Sequence, residues 1–274
     1  MRKLILIDGN ALVHRAFHAL PALTSAKGVV TNAAYGFTSI LLKTIKDLKP
    51  DYIAAAFDLA GPTFRHEQFE DYKVHRVKAP EELYRQIPLV KEILAAFGIP
   101  VYEKAGYEAD DLIGTLATRA KKNPPAGGLQ TIIATGDLDT LQLVDGKKTV
   151  VFTLRKGMTD TIIYDEDAVL ERYGLKPKQL SDYRGLKGDP SDNIPGVPGI
   201  GEKTAGELTQ KFGSLDGLYK FLEAKSAKRK AQNKRTKDKI ISEKLVEKLL
   251  ANKKQAFFSK QLSEIVTDLD IDFS

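Results

Sequence analysis

Cysteine is absent and histidine is limited to four residues, so disulfides and thiol chemistry are excluded, and a structural zinc site very nearly so. Any metal that serves this chain must be bound by oxygen. No stretch approaches the roughly 20 consecutive apolar residues of a membrane span. The opening MRKLILIDGN runs straight into a strand-like pattern instead of a signal peptide. The expectation is a cytoplasmic protein with no membrane partner.

What is present suits a globular chain. The 274 residues are 42% hydrophobic and 28% charged, enough for one large core or for a core with a smaller appended domain. The formal net charge is +6, with 42 Lys and Arg against 36 Asp and Glu, a mild hint of a polyanionic partner. Nine of those acids group into one set described next. Counted apart, they leave 27 acids facing 42 bases, a body of net charge +15 around an acidic focus.

Residues 3–7 (KLILI), 52–57 (YIAAAF) and 131–134 (TIIA) are short apolar runs that read as buried parallel strands. Each is followed by an aspartate, directly or after Thr135 and Gly136. Helical patterns lie between them, at residues 33–48 and 81–97, and this alternation predicts an α/β fold with a parallel sheet. Ligands of such sheets sit at the carboxyl ends of the strands, where Asp8, Asp58 and Asp137 all fall. Beyond about residue 180 the strand signal fades. Helical segments punctuated by Gly and Pro are expected at 189–201, 202–212, 215–222 and 240–250. Residues 225–239 (KSAKRKAQNKRTKDK) form a basic stretch, either a solvated surface or a contact for DNA.

Acids are dense in five places: Asp8 in IDGN, Asp58 in FDLAGPTFR, Glu108, Asp110 and Asp111 in YEADD, Asp137 and Asp139 in TGDLD, and Asp189 and Asp192 in GDPSDN. A lone aspartate is explained by a helix cap or a turn. The set is not, because several carboxylates meeting at one sheet edge repel unless a cation intervenes. Mg²⁺ or Mn²⁺, hard cations that prefer carboxylate and water oxygens, fit best. Glu108 and Asp111, three apart, share a helix face, while Asp110 points roughly 100° from Asp111. One helix start can thus feed two ion positions, and two ions can stabilise the attacking and leaving oxygens of a phosphodiester displacement.

Taken in order, IDGNALVHRAFHAL, TNAAYGF, FRHEQFEDYKVHR, GYEADDLIGTLA, TGDLDTLQLV and GDPSDNIPGVPGIGEKTA resemble the 5′-nuclease domain of bacterial DNA polymerase I, of the flap endonuclease family. The resemblance runs from Met1 to about Leu222 and more loosely beyond. It implies a PIN-like catalytic core at 1–180, with a helical arch at about 63–90, and a helix-hairpin-helix DNA-binding lobe at 181–274. The implied activity is structure-specific 5′ to 3′ exonuclease and flap endonuclease hydrolysis in replication and repair, on DNA with 5′ flaps, nicks or ends and on RNA-primed 5′ ends. A monomer in the bacterial nucleoid is expected. All nine family carboxylates have counterparts here. One ion is expected mainly on Asp8, Asp58 and Asp110, the other mainly on Asp110, Asp137 and Asp139, with Glu108, Asp111, Asp189 and Asp192 acting directly or through water.

Residues 63–85 alternate bases and aromatics, among them Phe64, Arg65, Phe69, Tyr72, Lys73 and Arg76. Aromatics can stack on splayed bases while cations hold phosphates; equally, Phe69 and Tyr72 at i, i+3 spacing can pack inward. By resemblance Lys73 and Arg76 face the scissile phosphate as catalytic cations. Arg65, Tyr72, Arg184 and Lys187 join the DNA contacts. Gly199 and Gly201 precede a helix whose first turn holds Lys203 and Thr204, where free N–H groups can receive a duplex phosphate. Some family members bind K⁺ at this hairpin, which makes K⁺ a second candidate cofactor. A phosphatase with Asp8 as nucleophile is disfavoured, because its usual second aspartate is Asn10. A catalytically dead scaffold would have lost ligands, and a PIN-type ribonuclease normally lacks the arch and GVPGIG.

Overall fold

The computed structural model describes residues 1–156, 160–232 and 241–272. These form two compact units. Unit 1 comprises Met1–Gln68, Val77–Ala168 and the C-terminal segment from Ile265; unit 2 comprises Phe69–Arg76 and Val169–Glu264.

Unit 1 is built on six strands, β1 (Arg2–Asp8), β2 (Tyr52–Ala56), β3 (Val101–Tyr102), β4 (Leu129–Ala134), β5 (Thr149–Lys156) and β6 (Asp160–Tyr164), in the order β3-β2-β1-β4-β5-β6. Strands β1 to β5 pair in parallel and β6 runs antiparallel to β5. The three expected strands are β1, β2 and β4, the centre of the sheet. Its helices are α1 (Gly9–Ala19), α2 (Asn32–Leu48), α3 (Phe64–Gln68), α4 (Glu81–Tyr84), α5 (Ile87–Ala96) and α6 (Ala109–Lys122). Ile5 and Ile7 enter a core with Leu12, Val13, Phe37 and Leu41 from α1 and α2 and Leu94 from α5. The alternate residues Leu4 and Leu6 are left for the other face, where α6 packs on β1, β2 and β4. Burial on both faces is why β1 reads as an unbroken apolar run.

The helix expected over 81–97 is two helices. Pro88 lies in the first turn of α5, and its ring would collide with the carbonyl four residues earlier if the helix ran on. The break leaves Gln86, 2% exposed, free to accept from the N–H groups of Ala33 (2.8 Å) and Ala34 (3.2 Å). It thereby caps α2, whose own N-cap, Thr31, makes no side-chain capping bond. Of the arch segment 63–90, the helical parts are α3, α4 and the start of α5; Phe69–Arg76 are turns that pack in unit 2.

Unit 2 takes over within α7 (Glu166–Tyr173) and continues through α8 (Leu180–Lys187), α9 (Glu202–Phe212), α10 (Leu215–Gln232), α11 (Glu243–Ala251) and α12 (Lys253–Ser263). Helix α8 packs on α9 and α12. Residues 189–201, expected to be helical, instead form a turn closed by paired hydrogen bonds between Asp189 and Ile194. Three prolines remove helix donors there, and Gly188 and Gly196, both at positive φ, pass so close that a Cβ on Gly196 would stand 2.3 Å from the Gly188 nitrogen. Of the basic stretch, residues 225–232 continue α10 and 233–239 lie outside the described residues. Among the described residues, no helix is long and apolar enough to cross a membrane.

Candidate active site

Parallel pairing brings the ends of β1, β2 and β4 to one edge of unit 1, and the expected acids of that unit follow from them. Asp8 ends β1 and caps α1: its Oδ1 accepts from the Ala11 N–H (2.9 Å) and its Oδ2 from the Thr135 hydroxyl (2.6 Å). Thr135 follows β4, and its oxygen in turn accepts from the Asp137 N–H (2.9 Å). Asp137 caps a short 3₁₀ helix, Leu138–Leu143, by accepting from the Asp139 N–H (2.8 Å). Asp58, exposed beyond β2, accepts from the Ala109 N–H at the start of α6 (2.7 Å), while its own N–H is held by Asn10 Oδ1 (3.0 Å). One network thus ties the loops after β1, β2 and β4 to α6. Thr135 and Asn10 are its joints. Neither was expected as a site residue, although a polar side chain two residues from a strand-end aspartate was the available signal.

The electrostatics mark a crowded anionic centre. Burial raises the Asp8 carboxyl to about 7, opposed by the bonds from Thr135 and Ala11 and assisted by the charges of Asp58 and Asp137. Asp110 is pushed well above the usual carboxylate range, first by desolvation and then by Asp137, Asp8, Asp139 and Glu108. Among the described residues, no three His, Asp or Glu side chains converge as a ready-made coordination set. The donor set, all carboxylate oxygen with mutual repulsion, fits a divalent cation in the residues Asp8, Asp58, Glu108, Asp110, Asp137 and Asp139.

Asp111 is differently placed. It is 0% exposed, and its oxygens accept four bonds: two from Arg65 (2.7 and 2.8 Å), one from the Glu108 N–H (3.1 Å) and one from the Val266 N–H (2.9 Å). Four bonds use the lone-pair directions of a carboxylate, so Asp111 anchors the start of α6. Arg65, expected on a phosphate, is 2% exposed and lies between Asp111 and Glu108, whose Oε2 is 3.5 Å away.

The remaining expected residues belong to unit 2. Asp192 is 6% exposed and is met by the Arg76 guanidinium, by Lys73 Nζ at 3.8 Å and by the Tyr72 hydroxyl at 3.3 Å. Its carbonyl accepts from the Lys73 N–H (3.0 Å). Tyr72 is 3% exposed and packs with Phe69, Ile194, Phe258 and Leu262, the inward alternative for this aromatic pair. Asp189 accepts from the Ser191 N–H and hydroxyl. Arg184 is buried, while Lys187 is partly open above the Tyr183 ring. Gly199, Gly201 and Lys203 are exposed and Thr204 half-buried around the start of α9, whose N-cap, Gly201, supplies no side-chain bond. The amides of that first turn are therefore presented outward.

Residues 3–174 match the family described as 5′-3′ exonuclease, N-terminal resolvase-like domain, and residues 175–274 match 5′-3′ exonuclease, C-terminal SAM fold. The chain is 46% identical over 273 residues to DNA polymerase I of Bacillus subtilis, covering all of this chain and 29% of that protein. It is 41% identical over 270 residues to DNA polymerase I of Mycobacterium tuberculosis, covering 98% and 28%. The chain therefore spans less than a third of the length of these relatives. Among solved structures, the T5 D15 protein co-crystallised with metal ions shares the fold at a TM-score of 0.73 and 19% identity, over 97% of this chain and 90% of that one. Human GEN1, in complex with Holliday junction DNA, does so at 0.59 and 16%, over 99% and 62%. By both of its matched halves, the chain belongs to the 5′-3′ exonuclease family.

Proposed function

We propose that this chain is a structure-specific 5′-nuclease that hydrolyses DNA phosphodiesters at or near 5′ ends and flap junctions, including RNA-primed ends, in replication and repair. The observation that carries the reading is the placing of Asp8, Asp58 and Asp137 at or just past neighbouring strand ends on one sheet edge, where burial and acidic neighbours push Asp8 and Asp110 upward. A catalytic site poised this way is a recognised outcome of crowding like charges. Asp8, Asp58, Glu108, Asp110, Asp137 and Asp139 are the proposed holders of two divalent cations, Mg²⁺ or Mn²⁺. When bound, these ions supply Lewis acidity to the scissile phosphate and lower the pKa of water.

The chain's own residues then have separate tasks. Asp8 caps α1 from the end of β1 and Asp58, in the loop after β2, holds the first N–H of α6, so both carboxylates are fixed in orientation. Asp111 acts as an anchor and not as a ligand. Lys73 and Arg76 supply positive charge to the phosphate. The amides around Gly199 and Gly201, with Lys187, Lys203 and Thr204, hold a duplex phosphate at the N-terminus of α9 without reading sequence. A dependence of duplex binding on K⁺ concentration would extend this hairpin to a third cation. The chain acts as a monomer.

The test is cleavage of a 5′-labelled double-flap duplex beside the same strand as single-stranded DNA and RNA, with Mg²⁺ or chelator, for wild type and Asp137→Ala. Mg²⁺-dependent cutting at the flap junction, lost in the variant, is expected. Binding without cutting sinks the nuclease reading, and preferential cutting of RNA replaces it with a ribonuclease.

A further inference from the structure

The last described segment, residues 265–272, has neither helix nor strand, yet it belongs by its contacts to unit 1 and runs along α6. The Val266 N–H donates to Asp111 Oδ1 (2.9 Å) and the Leu269 N–H to Thr115 Oγ1 (3.2 Å). Arg119 returns two bonds, to the Leu269 carbonyl (2.8 Å) and to the Ile271 carbonyl. Asp111, Thr115 and Arg119 are spaced by four and so form one stripe of the helix. Two flanking ties complete the attachment: the Ile265 N–H to Gln142 Oε1 (3.0 Å) and Lys104 Nζ to the Asp270 carbonyl (2.8 Å).

The fit is close as well as polar. Ile265 and Leu269 are buried. Gly114, between the first two attachment points, approaches the segment so nearly that a Cβ would lie 2.7 Å from Ile265 Cγ2 and 2.9 Å from the Val266 carbonyl oxygen. A side chain there would lift the segment from the helix.

We propose that residues 265–272 are a positioning strap for the cation-binding acids, acting through Asp111. The Val266 N–H fills the last acceptor direction of Asp111, which through Arg65 and the Glu108 N–H fixes the rotation and register of the first turn of α6. That turn carries Glu108 and Asp110. Side chains behind a metal's ligands set its affinity by holding the ligands in place. Here one of those supports is a backbone amide from a segment about 155 residues away in sequence. This inference rests on the cation reading of the acids.

The experiment uses the full chain with Mn²⁺ as the probe, measuring bound Mn²⁺ by electron paramagnetic resonance and exchange of the Glu108 amide without metal. Val266→Pro deletes the N–H, while Val266→Ala keeps it. For the proline variant Mn²⁺ affinity is expected to fall about ten-fold, with faster Glu108 exchange, and the alanine variant is expected to stay within about two-fold of wild type. A folded Val266→Pro chain with unchanged affinity overturns the strap, as does an alanine variant equal to the proline one. Should Val266→Pro not fold, Arg119→Gln decides, since it frees the far end of the strap without touching Asp111: weaker Mn²⁺ binding supports the strap and wild-type binding overturns it. Wild type that binds no Mn²⁺ sinks the cation reading itself, a distinct result.

Discussion

Arg65 and Asp111 form a two-pronged ion pair, 2.7 and 2.8 Å long, between side chains only 3% and 0% exposed. Removing one member of a buried pair leaves the other charge without compensation, which typically costs about 3–5 kcal/mol. Arg65→Met is expected to destabilise the chain by an amount in that range in urea unfolding, and Arg65→Lys by somewhat less, since a lysine cannot reproduce the fork. The salt dependence of duplex binding is expected to keep its slope in Arg65→Met, which removes the charge. A slope reduced by about one would place Arg65 on a phosphate after all.

The anionic centre predicts an unusual response to pH. Asp8 titrates at about 7 in the folded chain against about 3.9 when unfolded, and Asp110 is displaced in the same direction. Between those values the folded state holds more protons than the unfolded one, so without divalent cations stability is highest below about pH 4 for these groups and declines as pH rises to about 7. Thermal unfolding in chelator is expected to show that decline. Mg²⁺, which binds the deprotonated acids, is expected to flatten or reverse it while releasing protons, and Asp8→Asn to reduce it. A melting temperature in chelator that climbs from pH 5 to pH 7 would contradict the assignment, provided other groups are matched by the Asp8→Asn control.

Thr135 offers a test of the network that joins β1 to β4. Its hydroxyl gives its hydrogen to Asp8 and takes one from the Asp137 N–H, so Thr135→Val strands a donor and an acceptor at once. Each stranded group typically costs about 1–3 kcal/mol. The valine variant is expected to lose stability on that scale and to bind Mn²⁺ more weakly, whereas Thr135→Ser retains both. If serine and valine behave alike, the methyl group and not the hydroxyl is what matters.

Asp8, Asp58 and Asp137 could be found from sequence because each follows a run of buried strand residues, and a parallel sheet obliges such ends to lie on one side. The outer strands gave weaker signals: β3 has two residues, and β5 and β6 at the antiparallel edge mix Thr, Lys and Asp with their apolar positions. Asp110 and Asp111 are adjacent and chemically identical in sequence, yet one helps make the anionic centre and the other is sealed beneath it. What separates them is Arg65 and Val266, 46 and 155 residues distant, which no local pattern encodes. Likewise the basic segment around Lys73 had two local readings, and the choice for Tyr72 depended on Ile194, Phe258 and Leu262, far along the chain.

Lys73 carries a backbone clue to its role. It has φ 55°, a left-handed conformation that is uncommon for a residue with a side chain, and its N–H is bound to the Asp192 carbonyl at 3.0 Å. The conformation costs roughly 1 kcal/mol for lysine and almost nothing for glycine, so a lysine kept here for packing alone would be improved by replacement. Lys73→Gly is therefore expected to match or exceed the wild-type stability, and Lys73→Ala to fall below the glycine variant by roughly 1 kcal/mol. Both lack the ammonium group, so single-turnover cleavage of a flap is expected to slow by on the order of 100-fold in each. Equal cleavage by Lys73→Gly and wild type would remove Lys73 from the chemistry, and a glycine variant less stable than the alanine one would show that the left-handed backbone at this position carries no strain.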